Sequence, residues 1–199
     1  MNSFLSLTKN KIYKSEIEIN KSRFLGFAKH TNSTEEAKQF VLDLKKQYQD
    51  ARHVVYAYIV DGMQKSSDDG EPSGTAGRPI LEMLLHQNCN QIVVVVVRYF
   101  GGIKLGAGGL LRAYVQTAKQ TINQDLKTYN KGKVFEGQFD YKSFKDIKQS
   151  LKQRKIKELS LSYGQNIEYS VVCFDDQDIP GMKYKKDIFE TFGGEDENN

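Results

Sequence analysis

The residues of this chain whose types and spacing can do chemistry lie between Ser66 and Arg112, a window that also holds half of the 16 glycines. Its second part reads Gly101-Gly102-Ile103-Lys104-Leu105-Gly106-Ala107-Gly108-Gly109-Leu110-Leu111-Arg112. Gly101, Gly102, Gly106, Gly108 and Gly109 would let backbone N–H groups approach an anion closely, and a helix opening at Ala107 or Gly108 would add its dipole. Arg78, Arg98, Lys104 and Arg112 can add charge-assisted contacts, which suits a phosphate or an RNA backbone. This is not a Walker A loop: Gly101 and Gly106 have the right separation, but Ala107-Gly108 stands where Lys-Ser/Thr is required. Nor is it a dinucleotide fingerprint, which would need glycine at Leu111. The competing reading is that these glycines permit a tight turn and close helix–sheet packing.

The first part of the window carries Asp68, Asp69, Gly70, Glu71, Pro72, Gly74 and Thr75. Three neighbouring carboxylates can hold Mg²⁺ through oxygen ligands. Adjacent loop acids are more often solvated turn residues, and Asp69-Gly70 is an ordinary turn signal, so no metal is assigned. Ser73 does not sit in a Gly-x-Ser-x-Gly elbow, because Glu71 and Thr75 occupy the glycine positions. A nucleophile would also need a base, and the histidines are His30, His53 and His86. His53, on a strand, is the candidate, against the alternative of a buried structural histidine. Tyr56, Tyr58, Tyr99, Phe100 and Tyr114 can stack bases beside Arg52, Arg98 and Arg112, or serve as half-buried packing residues.

The elements that must position these groups follow from periodicity. Lys11 to Ile19 and Arg23 to Lys29 read as strands around an Asn20-Lys21-Ser22 turn. Ser33 with Glu36 forms a capping box for a helix through Ala37, Phe40, Val41, Leu44 and Tyr48. Arg52 to Val60 is a strand, and Asp61 to Arg78 is a loop. Pro79 begins a short apolar helix. Ile92 to Val97 lacks polar alternation, so both of its faces should be buried. The helix after Gly106 carries Leu111, Tyr114, Val115, Ala118 and Ile122. Asp125 to Lys133 reads as a linker. Beyond it come a strand at Val134–Tyr141, a helix at Ser143–Arg154, a hairpin around Tyr163–Asn166, and a last helix over Ile179–Phe192. The predicted class is α+β, two domains with helices on one side of each sheet, at 1–128 and 129–192, with an acidic disordered tail at 193–199.

Composition bounds the function. The chain has 199 residues, 39% apolar and 27% charged, as in a globular protein. The longest purely apolar run, Ile92–Val97, is far too short to span a membrane, and no membrane partner is expected. Two cysteines, Cys89 and Cys173, form no metal or redox pattern, which points to reduced thiols and the cytoplasm. Residues 187–199 hold five acids and no Lys or Arg, so the preceding chain carries 29 basic against 20 acidic residues. That excess suits an acidic partner such as RNA. No cofactor is expected.

Ser67-Asp68-Asp69-Gly70-Glu71-Pro72-Ser73-Gly74-Thr75-Ala76-Gly77-Arg78-Pro79, followed by Val95-Val96-Val97-Arg98-Tyr99-Phe100-Gly101-Gly102 through Gly109 and then Arg112-Ala113-Tyr114, resembles the signature of the Impact/YigZ family. Arg52-His53 and Tyr56-Ala57-Tyr58 sit where that family carries a His-containing strand. The resemblance implies an N-terminal domain like the second domain of a ribosomal small-subunit protein. It also implies a ferredoxin-like C-terminal domain similar to the last domain of elongation factor G. This chain departs from that layout: no fourth strand is read after the second helix, so the C-terminal domain is either incomplete or closes its sheet differently. The eukaryotic relatives regulate translational control by binding a ribosome-associated activator of a stress kinase. Among bacterial relatives, nucleic-acid binding has been inferred from fold likeness and a peptidase label is attached to some. The expected function is therefore a translation-linked regulator, without enzymatic activity, that binds RNA, a ribosome-associated protein or another anionic ligand through the basic, glycine-rich surface. The alternatives are an enzyme on a phosphorylated or peptide substrate, with His53, Asp68, Asp69 and Lys104 in one pocket, and a protein–protein adaptor.

Overall fold

A computed structural model describes residues 2–192; the tail expected at 193–199 lies outside the described residues. In chain order the elements are β1 (Ser3–Leu7), β2 (Ile12–Ile19), β3 (Ser22–His30), α1 (Thr34–Gln47), β4 (His53–Val60), β5 (Met63–Ser67), α2 (Gly77–His86), β6 (Ile92–Tyr99), α3 (Gly106–Ile122), β7 (Leu126–Phe139), α4 (Tyr141–Leu151), β8 (Ile156–Tyr163), β9 (Ile167–Cys173) and β10 (Lys183–Thr191). They form a mixed α/β chain in two compact units. One is Leu5–Lys127, and the other comprises the described residues of Met1–Phe4 and Thr128–Asn199.

The first unit is built on an antiparallel sheet of order β2-β3-β6-β4-β5. Helix α1 starts as its sequence dictates: the Ser33 hydroxyl accepts from the Glu36 N–H at 3.1 Å, and the Glu36 carboxylate reaches back to the Asn32 N–H at 2.9 Å. The β6 valines explain the architecture. Val94 and Val96 join a core with α2 and α3 through Ile80, Leu84, Ala113, Tyr114 and Ala118. Val93, Val95 and Val97 join a second core with α1 through Ala37, Phe40, Val41 and Leu44. The sheet is thus covered on both faces, not on one as predicted, and this is why β6 shows no polar alternation. The stretch predicted as a loop, Asp61–Arg78, contains β5. Asp61 and Gly62 both take positive φ, 48° and 83°, in a two-residue hairpin turn. The strand they launch is a polar edge, so no apolar alternation announces it.

In the second unit β10, β7, β9 and β8 lie side by side, all antiparallel, and β1 also pairs with β7. Helix α4, capped by Asp140 at the Ser143 N–H (2.7 Å), buries Phe144 and Leu151 against Phe135, Tyr169 and Val171. Two sequence expectations fail here. The predicted linker at Asp125–Lys133 is mostly the first part of β7. The predicted helix at Ile179–Phe192 is mostly β10, paired from Lys183↔Glu136 to Thr191↔Tyr129. A fourth strand is therefore present, and it is a second helix that is lacking among the described residues. Both misread segments are lysine-rich and half solvated. Their backbone hydrogen bonds to each other hold them in the sheet, and side-chain patterning hardly records that pairing.

Candidate functional site

The loop between β5 and α2 is organised by its own acids. Asp68 Oδ1 accepts from the Ala76 and Gly77 N–H groups at 3.1 and 2.8 Å, and Oδ2 from the Gly74 N–H at 2.8 Å. It thereby caps α2 from a distance, since Ala76 at the cap position makes no side-chain bond. Asp69 Oδ2 accepts from the Val54 N–H at 2.7 Å and Oδ1 pairs with Lys45 Nζ at 2.5 Å. Its carbonyl lies 2.8 Å from His53 Nδ1. The Thr75 hydroxyl donates to the Pro72 carbonyl at 2.7 Å, a turn bond rather than the posture of a nucleophile. The carboxylates are thus spent on the loop, and no group of three or more metal-ligating side chains occurs among the described residues.

Glu71 turns inward. Its Oε1 takes the Arg98 guanidinium at 2.6 Å and the Tyr114 hydroxyl at 2.8 Å, and His53 Nε2 stands 3.9 Å away. Arg98 and Glu71 are 5% and 8% exposed. The guanidinium faces the rings of Phe24 and Phe100, and its Nε has no hydrogen-bond partner. Burial, with the Glu71 carboxylate beside it, pushes the Tyr114 hydroxyl far above its ordinary pKa, so it remains a donor. Arg98 was expected as a surface contact for an anion. It is instead a buried, neutralised charge that ties β6 to the loop and to α3.

Above this pair opens a cleft of about 460 Å³. Its lining combines the polar Arg52, His53, Glu71, Arg98 and Lys104 with the apolar Pro72, Phe100, Leu105 and Leu110 and with Gly106 and Ala107 at the start of α3. Helix α3 has Leu105 at the cap position and no side-chain cap, so its first N–H groups are unclaimed by any side chain. Arg52 and Lys104 are exposed and have no ion-pair or hydrogen-bond partner among the described residues. The one acid in the cleft is Glu71, already paired with Arg98.

The other predicted site residues are scattered. Arg78 is exposed on α2 and bonds Glu82 at 2.8 Å, and Arg112 is exposed on α3; neither lines the cleft. Gly101 serves packing: a Cβ there would lie 2.0 Å from the Lys21 backbone. Gly102 and Gly106 take positive φ, 86° and 70°. Gly108 has open space, where an added Cβ would come no closer than 3.8 Å to Arg112 Nη1, and Gly109 abuts Leu105. Gly70, Glu71 and Pro72 of the motif loop reach the cleft, whereas Asp68, Asp69, Gly74 and Thr75 do not line it. The sequence reading placed Arg52 beside stacking aromatics and in the family's His-containing strand, not among the anion-binding residues. Its position next to His53 at the start of β4 is the signal that could have brought it into the site.

The model of the Impact N-terminal domain matches residues 20–122, which include every cleft residue. The IMPACT family member YvyE of Bacillus subtilis is 39% identical over 158 residues, 77% of this chain and 73% of that relative. This chain belongs to the Impact family. The IMPACT family member YigZ of Escherichia coli is 45% identical over 112 residues, 54% of this chain and 55% of its own. A solved structure described as that of a hypothetical protein superposes with a TM-score of 0.61 at 33% identity, covering 87% of this chain and 86% of that one. The Impact-family match thus falls on the unit that carries the cleft.

Proposed function

We propose that this Impact-family protein is a translation-linked regulator of the cytoplasm that binds RNA through the cleft at the start of α3. The observation that carries the reading is that Arg52 and Lys104, both unpaired among the described residues, share that cleft with an uncapped helix N-terminus, while the acid in its described lining, Glu71, is neutralised from within. Such a surface favours a phosphate backbone. Family membership supports the translational setting, because the eukaryotic relatives that the motif resembles act in translational control. The strand order of the second unit supports a ferredoxin-like reading of that unit, with its second helix missing.

The test is titration of labelled single- and double-stranded RNA at two salt concentrations. Binding should weaken steeply with salt and be lost in the Arg52→Ala/Lys104→Ala protein, whose exposed substitutions spare the core. No binding at low salt would refute RNA as the ligand and favour a protein partner. A second reading, an enzyme on a phosphorylated substrate, draws on His53 and Lys104 lying in one cleft. It requires turnover that disappears in His53→Ala. The other half of that expectation fails, because Asp68 and Asp69 are committed to the α2 cap and to β4.

A further inference from the structure

The chemistry of the cleft is more specific than a basic surface. Arg98 and Glu71 cancel one another, which leaves Arg52 and Lys104 as two uncompensated positive charges. A phosphodiester inside a strand carries one negative charge; a terminal phosphate monoester carries close to two at neutral pH. His53 adds a second, independent indication. It is 9% exposed, and its Nδ1 faces the Asp69 carbonyl, which can only accept, so Nδ1 holds the proton. Nε2 lines the cleft without a hydrogen-bond partner among the described residues, since Glu71 Oε1 at 3.9 Å is beyond bonding distance. Nε2 is thus free to take a hydrogen bond from an occupant of the cleft. A monoester exchanges its last proton near pH ~6, so in its singly charged form it can donate to Nε2; a diester has no proton to give. The same lining offers the apolar Phe100, 43% exposed, with Leu105 and Leu110. An exposed aromatic ring of this kind can stack a base.

We propose that this cleft binds a terminal nucleotide through its phosphate monoester, with Arg52, Lys104, His53 Nε2 and the first N–H groups of α3 on the phosphate and Phe100 against the base. The nucleotide is either the phosphorylated end of an RNA strand or a free mononucleotide. The proposal rests on the RNA-binding reading above only for the first of these sources.

The experiment uses the full chain and compares four probes at constant salt: a short oligouridine with a 5′-phosphate, one with a 3′-phosphate, one with neither, and uridine monophosphate. One phosphorylated strand should bind at least about tenfold more tightly than the unphosphorylated strand, as expected for a lost charge-assisted contact. Arg52→Ala and Lys104→Ala should each erase that preference, and Arg78→Ala, outside the cleft, should retain it. Phe100→Ala should weaken uridine monophosphate about tenfold while leaving the affinity for inorganic phosphate unchanged. Binding of uridine monophosphate alone would support the site, assign it to free nucleotides and refute the RNA reading. Equal binding of all three strands, unaffected by competing uridine monophosphate, would overturn the terminal-phosphate site while sparing RNA binding. Absence of binding by every probe would overturn both.

Discussion

Replacing Glu71 with Gln is the sharpest test of how this unit is held together. The substitution is nearly isosteric and keeps an oxygen for the Tyr114 hydroxyl, but it removes the charge that neutralises Arg98. Arg98 is 5% exposed, so little water can replace the lost carboxylate. Breaking one partner of such a pair costs about 3 to 5 kcal/mol, and the amide's remaining hydrogen bonds put the expected loss near the lower end. Against a total stability of roughly 5 to 15 kcal/mol this is a large fraction. At 2 to 4 °C per kcal/mol for a chain of this size, it amounts to a fall in Tm of roughly 6 to 12 °C. Arg98→Met should lose a similar amount, whereas the double substitution, which removes both charges, should recover at least about 2 kcal/mol relative to the sum of the singles. The assay is urea unfolding followed by far-ultraviolet circular dichroism, since the chain has no tryptophan. Native-state hydrogen exchange of the β6 amides would assign the loss to the Leu5–Lys127 unit. A loss below about 1 kcal/mol in Glu71→Gln, or strict additivity in the double variant, would show that the Arg98 charge is not desolvated and would refute the reasoning.

Three further outcomes are expected. Gly101→Ala should destabilise by about 2 to 3 kcal/mol, because its Cβ would fall 2.0 Å from the Lys21 backbone, while Gly108→Ala, in open space on α3, should stabilise by about 0.5 kcal/mol; chemical denaturation of both proteins reads the contrast. Burial raises the Asp125 pKa, but hydrogen bonds from Tyr13, Lys127 and Thr8 outweigh it and hold the group at about 2, below its ordinary 3.8. A depressed carboxylate contributes stability above its unfolded value and loses it as pH falls through the folded one. Wild type should therefore shed about 1 to 2 kcal/mol more than Asp125→Asn between pH 4 and pH 2, as measured by acid titration of urea stability. Burial pushes the Cys89 thiol up to about 12 and raises that of Cys173 as well, so neither should react with a chromogenic disulfide at pH 8 until the chain is unfolded.

Much of the first unit was legible because its signals are local or periodic. The Ser33/Glu36 cap, the two-faced burial of Ile92–Val97 and the glycine-led start of α3 each state their structure within a few residues. The motif singled out Ser66–Arg112, and the cleft draws most of its lining from that stretch. Less was legible where hydrogen bonding between distant strands, rather than side-chain pattern, decides the outcome. The pairing of Lys183–Thr191 with β7 turned an apparent helix and an apparent linker into neighbouring strands.

The sequence by itself determined which residues are chemically unusual: the clustered glycines, the acids before α2, and Arg98 and Lys104 on either side of a glycine turn. Only the tertiary structure decided which of them face solvent. Residue type cannot tell a charge that meets an ion from one that meets its own counterion, because that depends on what the fold brings within about 3 Å. Here the fold placed Glu71 against Arg98 and left Lys104 and Arg52 without a partner among the described residues. A positive side chain is a structural tie in one case and, on our proposal, a binding group in the other.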